Sequence, residues 1–290
     1  MKIVLSPNPY RDKGLRVVQS AERILKSVGV DTCVCLPFQP EKGSRLELDR
    51  SDLFSDMDQQ LKDADVLVCF GGDGTILHAA KCANACGVPI LGVNLGSVGF
   101  MAELEQGELS LLNKLAAGKY SVEIRMMVDV KVFRQGHTVF RDTALNDAVV
   151  TKGAVARVID LSVLADRTHI TDFSGDGVIV STPTGSTAYS MSAGGPIVEP
   201  TAENILVTPI CPHALQARAF VLDGDRTVTV KVGKLGKKTA YISVDGGKAA
   251  KLVEGDCVEI RRSAAFTKLV RLTGRSFYDV VSHKLGGVNK

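Results

Sequence analysis

The sequence predicts an α/β N-terminal domain, in which helices cover a parallel sheet, followed by a C-terminal all-β, sandwich-like domain. In residues 1–120, short apolar runs alternate with segments of helical periodicity, as they do in parallel α/β sheets. After residue 121 the apolar segments are short, β-rich and separated by turn residues, which is typical of an all-β domain. The length of 290 residues accommodates two domains. We expect them at residues 1–120 and 121–271, with the tail 272–290 returning to the first.

The elements of the first domain follow from its apolar patterns. Four apolar runs are predicted to be strands, at residues 2–6, 32–36, 66–70 and 89–93. Two periodic segments are predicted to be helices, at residues 15–28 and 76–86. Residues 37–52 contain many charges and two prolines, which favours a mobile loop.

The second domain is predicted to consist of short strands. They are predicted at residues 128–133, 138–141, 148–151 and 158–164, with several more between residues 204 and 270. Turn segments such as Asp245-Gly246-Gly247 separate them. The tail regains helical periodicity at residues 277–285.

Composition excludes several classes of function. The net charge of +3, from 35 basic and 32 acidic residues, is too small to favour nucleic acid or an anionic membrane as a partner. With no tryptophan and 5% aromatic residues, a base-stacking platform is not expected. No apolar run approaches the roughly 18–20 residues of a membrane span. The first residues form too short an apolar stretch for a signal peptide.

The cysteines favour a cytoplasmic protein without structural metal. There are seven, an odd number scattered through predicted strands and helices, which suits reduced thiols better than a disulfide framework. His78, Cys82 and Cys86 share one face of a predicted helix. Eight helical residues rise about 12 Å, so the outer two cannot share a zinc ion with bonds of about 2.0–2.3 Å. We expect no metal bound by the protein's own side chains.

The segment Gly71-Gly72-Asp73-Gly74-Thr75 lies between a predicted strand and a predicted helix. Such a turn directs backbone N–H groups and a helix N-terminus at one point, which favours an anion. The Asp73 carboxylate is poorly suited to binding phosphate, so it would hold a metal or take a proton, unless the segment is a plain tight turn. The segment therefore points to phosphoryl transfer. The phosphate would contact Gly71, Gly72, Gly74 and Thr75.

Two common nucleotide-binding motifs are absent from the sequence. It contains no G-x-x-x-x-G-K-[ST], and no G-x-G-x-x-G after a strand. Without a P-loop lysine, backbone amides and Mg²⁺ would have to meet the charge of the transferring phosphate. His78, one turn into the predicted helix, could add positive charge or be an ordinary helix histidine.

Three further segments could bind a nucleoside. In residues 176–196 an apolar strand leads into a row of hydroxyls, which could contact sugar and phosphate or belong to a surface loop. Asn146 and Asp147 interrupt an apolar strand, where they could contact adenine and ribose or form a bulge or Asx turn. In residues 95–103, at the edge where open α/β sheets bind ligands, Phe100 could stack on a ring or be a core aromatic.

Taken together and in this order, these segments resemble the NAD kinase family. The resemblance rests on residues 71–75 and 95–103, on Asn146-Asp147, and most of all on Thr182-Pro183-Thr184-Gly185-Ser186-Thr187-Ala188-Tyr189-Ser190. Residues 208–215 and Ser243-Val244-Asp245-Gly246 also agree, so it covers most of the chain from Val66 onward. The glycine turn also occurs in related kinases of diacylglycerol, sphingosine or fructose phosphate, whereas the hydroxyl-rich loop is more specific.

The resemblance implies phosphorylation of the adenosine ribose 2′-hydroxyl of NAD to give NADP, with ATP or polyphosphate as donor and Mg²⁺ or another divalent cation. It implies a homodimer or homotetramer, with Asp176 contacting the nicotinamide half from its own or a neighbouring subunit. Asp73 would be the catalytic base, since a positioned carboxylate can accept a hydroxyl proton. Asn146 and Asp147 would hold base and ribose. The other residues implied at the NAD site are Gly74, His78, Phe100, Arg157, Ser174, Thr184, Thr187, Ala188, Tyr189, Ser190, Met191, Ser192 and Gly247.

The sequence departs from the common family pattern at three positions. Ser174 stands where many members have arginine, and Gly247 stands where many have glutamine. Gly287 replaces the tryptophan that often follows a Lys-Leu-Gly sequence near the C-terminus.

Two other functions are alternatives to a kinase of NAD. A non-catalytic dinucleotide-binding regulator would have no need of Asp73, and a lipid kinase of the same superfamily would not need the loop at residues 182–190.

Overall fold

The computed structural model describes residues 1–37, 53–54, 56–96, 99–153, 157–214 and 217–286. The chain clusters into two compact units, one formed by Met1–Ile124 with Thr267–Lys290 and the other by Arg125–Phe266. The loop predicted at residues 37–52 lies, beyond Pro37, outside the described residues, as does Gly287.

The first unit contains a parallel sheet. Its strands are β1 (Lys2–Pro7), β2 (Asp31–Cys35), β3 (Leu53–Phe54), β4 (Val66–Gly71) and β5 (Ile90–Asn94). They pair in the order β3-β2-β1-β4-β5, and each pair is parallel. The short β6 (Leu104–Glu105) pairs with β5. Every residue of β4 and β5 is buried, as expected of parallel strands covered on both faces.

Helices pack against this sheet, as the sequence predicts for an α/β domain. They are α1 (Arg16–Ser27), α2 (Met57–Leu61), α3 (Asp73–Cys86) and α4 (Leu112–Ala116), with 3-10 turns at Lys13–Leu15 and Gln106–Leu111. α1 buries Val17, Val18, Ala21 and Leu25, a spacing that forms one apolar stripe. The sequence patterns do not predict α2 and α4, because five-residue helices are too short to show a helical period.

The end of the chain belongs to the first unit. The long strand β18 (Cys257–Arg271) pairs in parallel with β5 through Leu269 and Ile90, and α6 (Phe277–Leu285) follows it. A capping box starts α6, since the Ser276 hydroxyl accepts from Asp279 N and the Asp279 carboxylate accepts from Ser276 N. The helix predicted at residues 277–285 is therefore present with a defined N-terminus.

The second unit is built mainly of antiparallel strands. One sheet contains β9 (Asp147–Lys152), β12 (Gly177–Ser181), β13 (Asn204–Ile210), β14 (Phe220–Asp223), β16 (Ala240–Val244) and β17 (Ala250–Leu252). These strands pair in the order β14-β13-β12-β9-β16-β17. The remaining strands are β7 (Ser121–Arg134), β8 (His137–Ala144), β10 (Ile159–Ala165), β11 (Thr168–Gly175) and β15 (Val228–Val232). Within this unit β7 pairs with β8, and β11, β10, β15 and β18 pair in that order.

One apolar core joins the two groups of strands in the second unit. Alternate residues point into it, for example Val228, Val230 and Val232 from β15 and Val178 and Val180 from β12. This arrangement confirms the predicted sandwich-like domain. Helical structure here is short, with a 3-10 turn at Thr184–Thr187 and α5 at Tyr189–Ser192. Across the described parts of the chain, no helix combines the length and apolar character needed to cross a membrane.

Candidate active site

The turn between β4 and α3 places Asp73 at the first residue of a helix. β4 ends at Gly71, Gly72 is the helix cap, and α3 begins at Asp73. The Thr75 amide donates to Gly72 O at 2.9 Å, which closes the first helical turn. The leading amides and the positive end of the helix dipole together favour an anion at this point.

The Asp73 carboxylate is oriented by the loop that follows β5. Phe100 N donates to its Oδ2 at 2.8 Å, and Met101 N donates to its Oδ1 at 3.1 Å. Gly99 allows this approach, because a Cβ at that position would overlap Asp73 Oδ1. Each carboxylate oxygen has two acceptor sites, so the side chain is anchored and can still accept a proton.

On one side of the turn Thr75 is packed against its neighbours, whereas the other side, at Gly72 and Gly74, is open. Thr75 is buried, and its hydroxyl accepts from Asn8 Nδ2 at 3.2 Å, so this side chain anchors the start of α3. A Cβ added at Gly72 or Gly74 would meet nothing within 4 Å. An anion could therefore approach the turn over these two glycines. His78 lies exposed on α3.

Phe100 contacts α6 of the same unit. Its ring centroid lies 6.4 Å from that of Phe277, and Lys284 Nζ lies 4.0 Å from the Phe100 ring centroid, a cation–π distance. The loop that orients Asp73 is therefore in contact with the last helix of the chain.

Glu103 ties the same loop to the tail a second time. Its buried carboxylate accepts from Leu272 N at 2.7 Å and Thr273 N at 2.6 Å, and it pairs with Arg271 at 3.1 Å. Glu103 belongs to the 95–103 segment, but its role is not predicted from the sequence. The one sequence feature that could have indicated a buried carboxylate is its position directly after the apolar Met101-Ala102.

In the second unit, the turn at residues 145–147 is held by Asp245. The Asp245 carboxylate accepts from Leu145 N at 2.8 Å, Asn146 N at 2.8 Å and Asp147 N at 3.0 Å. Asp245 belongs to the resemblance but was not among the predicted site residues. The sequence showed only an Asp-Gly turn there, and such turns have conformational reasons of their own.

Asn146 and Asp147 are both buried, and both are unusual for buried polar residues. Asn146 Oδ1 has no hydrogen-bond partner among the described residues. Burial raises the pKa of Asp147 to about 7, with a further contribution from the negative charge of Asp245. Unpaired buried acceptors and carboxyls that titrate near neutral pH are concentrated at functional sites.

The hydroxyl-rich loop turns many of its hydroxyls inward. Thr182 Oγ1 donates to Leu145 O at 2.5 Å and accepts from Gly185 N at 3.1 Å. Thr184 Oγ1 accepts from the buried Arg125 at 3.2 Å. A Cβ at Gly185 would overlap Asn146 O, so this loop lies directly on the 145–147 turn.

The later residues of the loop differ in exposure. Ser190 is fully buried and shares a hydrogen bond of 2.8 Å with Thr208, so its hydroxyl supports the loop from inside. Tyr189 is 46% exposed and Ser192 is also exposed, which leaves them accessible to a ligand. Thr187, Ala188 and Met191 are half-buried.

Ser174 and Asp176 lie away from the 145–147 turn. Asp176 precedes β12, whereas Ser181 at its other end pairs with Asp147. A five-residue strand spans about 17 Å, which separates these two places. Asp176 pairs with Lys152 at 2.6 Å. Ser174 donates to Asp160 at 2.5 Å and thereby lowers the pKa of that carboxyl.

Arg157 and Gly247, which the resemblance implies at the NAD site, both lie in the second unit. Arg157 is exposed. Gly247 closes the β16–β17 hairpin, with its amide donating to Val244 O at 2.8 Å. Within the residues that the structure describes, no group of three or more histidine, cysteine or acidic side chains could hold a metal ion.

Comparison with known proteins identifies relatives of the whole chain. Residues 15–120 match the ATP-NAD kinase N-terminal domain, and residues 145–272 match the ATP-NAD kinase C-terminal domain. The chain is 37% identical over 286 residues to the NAD kinase of Acetivibrio thermocellus, covering 98% of this chain and 97% of that one.

Two solved structures are similar over the full length of the chain. Yeast NADH kinase complexed with NADH has a TM-score of 0.85 at 24% identity, covering 100% of this chain and 88% of that one. An NAD kinase from Archaeoglobus fulgidus in complex with ATP has a TM-score of 0.74 at 25% identity, covering 100% of both chains.

Proposed function

The chain belongs to the NAD kinase family, and from that premise we propose which of its residues carry out the reaction. The enzyme transfers the γ-phosphoryl group of ATP to the 2′-hydroxyl of the adenosine ribose of NAD, giving NADP. One observation supports the central assignment. Asp73 stands at the N-terminus of α3 with both carboxylate oxygens anchored by backbone amides.

Asp73 is the proposed catalytic base. A ribose hydroxyl is a poor nucleophile, and a positioned carboxylate can accept its proton as the bond to phosphorus forms. Because carboxylates are weak bases at neutral pH, the effect depends on orientation, which the amides of Phe100 and Met101 supply.

The phosphates of ATP are proposed to approach the open side of the glycine turn, at Gly72 and Gly74. The backbone amides at the start of α3 would offset part of the negative charge of the phosphates. Mg²⁺ or another divalent cation would enter with the nucleotide phosphates. The bound cation would neutralise part of the negative charge of the phosphates. Asp73 is the single acidic residue of the Gly71–Thr75 turn.

NAD is proposed to be held by the 145–147 turn and the loop beside it. The unpaired Asn146 Oδ1 would accept from the adenine amino group, and Asp147 would accept from the ribose hydroxyls. Tyr189 and Ser192 are the accessible residues of the loop. Asp176 would serve the nicotinamide half. Further proposed contacts are Gly74, His78, Phe100, Arg157, Ser174, Thr184, Thr187, Ala188, Ser190, Met191 and Gly247.

The setting of the enzyme is proposed from the resemblance and from its thiols. All seven cysteines are free, which is consistent with a reducing compartment such as the cytoplasm. A homodimer or homotetramer is the proposed assembly, and polyphosphate is proposed as an alternative phosphoryl donor.

The assignment of Asp73 is tested with Asp73→Asn. NADP formation from NAD, ATP and Mg²⁺ should fall by about 10²–10⁴-fold, while NAD binding measured by calorimetry is retained. Asp63→Asn is the matched control, because Asp63 is an exposed carboxylate paired with Lys2 in the same unit. Near-wild-type turnover by Asp73→Asn would remove it as the base.

A further inference from the structure

Asp245 lies outside the residues assigned to the reaction, yet it holds the turn that carries two of them. We propose that Asp245 is a positioning residue, which fixes the Asn146–Asp147 turn in the conformation that binds NAD. The inference rests on the proposed function, in which this turn holds the adenosine half of NAD.

The Asp245 carboxylate accepts hydrogen bonds from three successive backbone amides. Three successive N–H groups, those of Leu145, Asn146 and Asp147, donate to it at 2.8, 2.8 and 3.0 Å. In return, Asp245 N donates to Asp147 O at 3.0 Å. Asp245 has a left-handed φ of +48°, and Gly246 follows at +69°, so the hairpin turn presents the carboxylate in a defined direction.

The opposite side of the same turn is held by the hydroxyl-rich loop. Thr182 N donates to Asn146 O at 2.9 Å, and Thr182 Oγ1 donates to Leu145 O at 2.5 Å. The turn is thus fixed through its amides by Asp245 and through its carbonyls by Thr182. Because Leu145, Asn146 and Asp147 are all buried, their amides need such partners in any stable conformation.

The charge of Asp245 has a second consequence, for the protonation of Asp147. Among the described residues, the neutral Ser181 lies opposite Asp147 on β12, and the charged group that acts on Asp147 is the Asp245 carboxylate of the hairpin turn. Burial and the Asp245 charge raise the pKa of Asp147 to about 7. Since the ionised carboxylate is the better acceptor for ribose hydroxyls, KM for NAD should fall as pH rises through about 7.

The test compares kcat and both KM values for the wild type and Asp245→Asn from about pH 5.5 to about pH 9. Asparagine keeps one acceptor oxygen and tolerates a positive φ. KM for NAD should rise about tenfold, which corresponds to about 1.4 kcal/mol, while KM for ATP and kcat change much less. The pH at which KM for NAD falls should move downward, because removing a negative charge lowers the pKa of Asp147.

Asp166→Asn is the matched control. Asp166 has a similar φ of +46° in a hairpin turn of the same unit, and its carboxylate accepts from Thr227 N at 2.8 Å. Thermal unfolding of each variant records any general loss of stability. Asp245→Ser, which keeps an acceptor oxygen on a smaller side chain, replaces Asp245→Asn if the latter does not fold.

A rise in KM for NAD combined with the downward pH shift, both absent from Asp166→Asn, supports the proposal. An unchanged KM for NAD, an unshifted pH dependence, or the same changes in Asp166→Asn would overturn it. Asp147→Ala separates this failure from a failure of the proposed function. If Asp147→Ala leaves KM for NAD unchanged, the nucleoside site itself is misassigned; if it raises KM and Asp245→Asn does not, only the role of Asp245 is lost.

Discussion

At the residue scale, two carboxylates of this chain stand in opposite environments. Asp73 is half-buried and is anchored by the two amides of Phe100 and Met101. Asp147 is buried next to a second negative charge, that of Asp245. The first environment orients the carboxylate through backbone hydrogen bonds, whereas the second disfavours ionisation of the carboxyl group. We have proposed different roles for them, a catalytic base for Asp73 and a group that binds the ribose of NAD for Asp147.

Asp147 should make the stability of the ligand-free protein depend on pH. Its pKa is raised from 3.8 to about 7, so the folded state keeps a proton that the unfolded state has lost. The stability it contributes is fully present below pH 3.8 and is lost as pH rises to about 7. Asp147→Asn removes the ionisable group, and we expect it to stabilise the ligand-free protein at pH 8 by about 1–3 kcal/mol.

Urea denaturation of wild type and Asp147→Asn, at about pH 5 and about pH 8, measures this difference. At the lower pH the two proteins should be closer in stability. Identical pH dependence in the two proteins would contradict the environment assigned to Asp147. The same variant should bind NAD more weakly, so stability and function should change in opposite directions.

Gly99 should matter more to turnover than to folding. A Cβ there would overlap Asp73 Oδ1, so Gly99→Ala must displace either the loop or the carboxylate. We expect kcat to fall at least about tenfold, because the substitution would misplace the proposed catalytic base. Gly107→Ala is the control, since a Cβ at Gly107 meets nothing within 4 Å. Steady-state kinetics of both variants measure the effect. Equal kcat values for Gly99→Ala and Gly107→Ala would show that the position of Asp73 does not require glycine at residue 99.

At the element scale, the C-terminal tail is attached to the loop that orients Asp73. α6 has no fully buried residue, and the ring of Phe277 with the ammonium of Lys284 contacts Phe100. The stronger attachment precedes the helix, where the buried Glu103 accepts from the backbone of Leu272 and Thr273. The tail is therefore held mainly by Glu103, and the contacts of α6 with Phe100 add a second attachment to the same loop.

Glu103→Gln should loosen this attachment. The variant loses a buried charge that accepts backbone amides and pairs with Arg271, and we expect about 2–4 kcal/mol of destabilisation. Glu123→Gln is the control, because Glu123 pairs with the same Arg271 at 3.0 Å but is less buried. It should cost only about 0–1 kcal/mol. Chemical denaturation measures both, and equal losses would show that burial of Glu103 is not decisive.

At the scale of the whole molecule, each unit has an apolar core of its own. The first core combines β-strands with α1 and α4, and the second lies between two groups of antiparallel strands. The sequence places the domain boundaries near residues 120 and 271. The contacts divide the chain at residues 124/125 and 266/267, inside β7 and β18. A continuous strand has no composition change at such a point, so a sequence pattern cannot mark it.

The sequence predicted the strand–helix alternation, the antiparallel domain and the fold class because these depend on neighbouring residues. Period and turn chemistry are local properties. For the same reason it identified the glycine turn and the Asn146–Asp147 pair as chemically unusual. It did not identify Asp245, whose contacts with the 145–147 turn join residues 98–100 positions apart.

The sequence by itself determined the fold class, the family and the presence of a carboxylate in a glycine turn. Only the tertiary structure decided which polar groups support the fold and which stay available. Within the loop after β12, it turned Thr182 and Ser190 inward and left Tyr189 exposed, although all three carry hydroxyls. It also decided that Asp73 is oriented and that Asp147 is buried beside Asp245. Burial, hydrogen bonding and charge depend on residues distant in the chain, and folding is what brings those residues together.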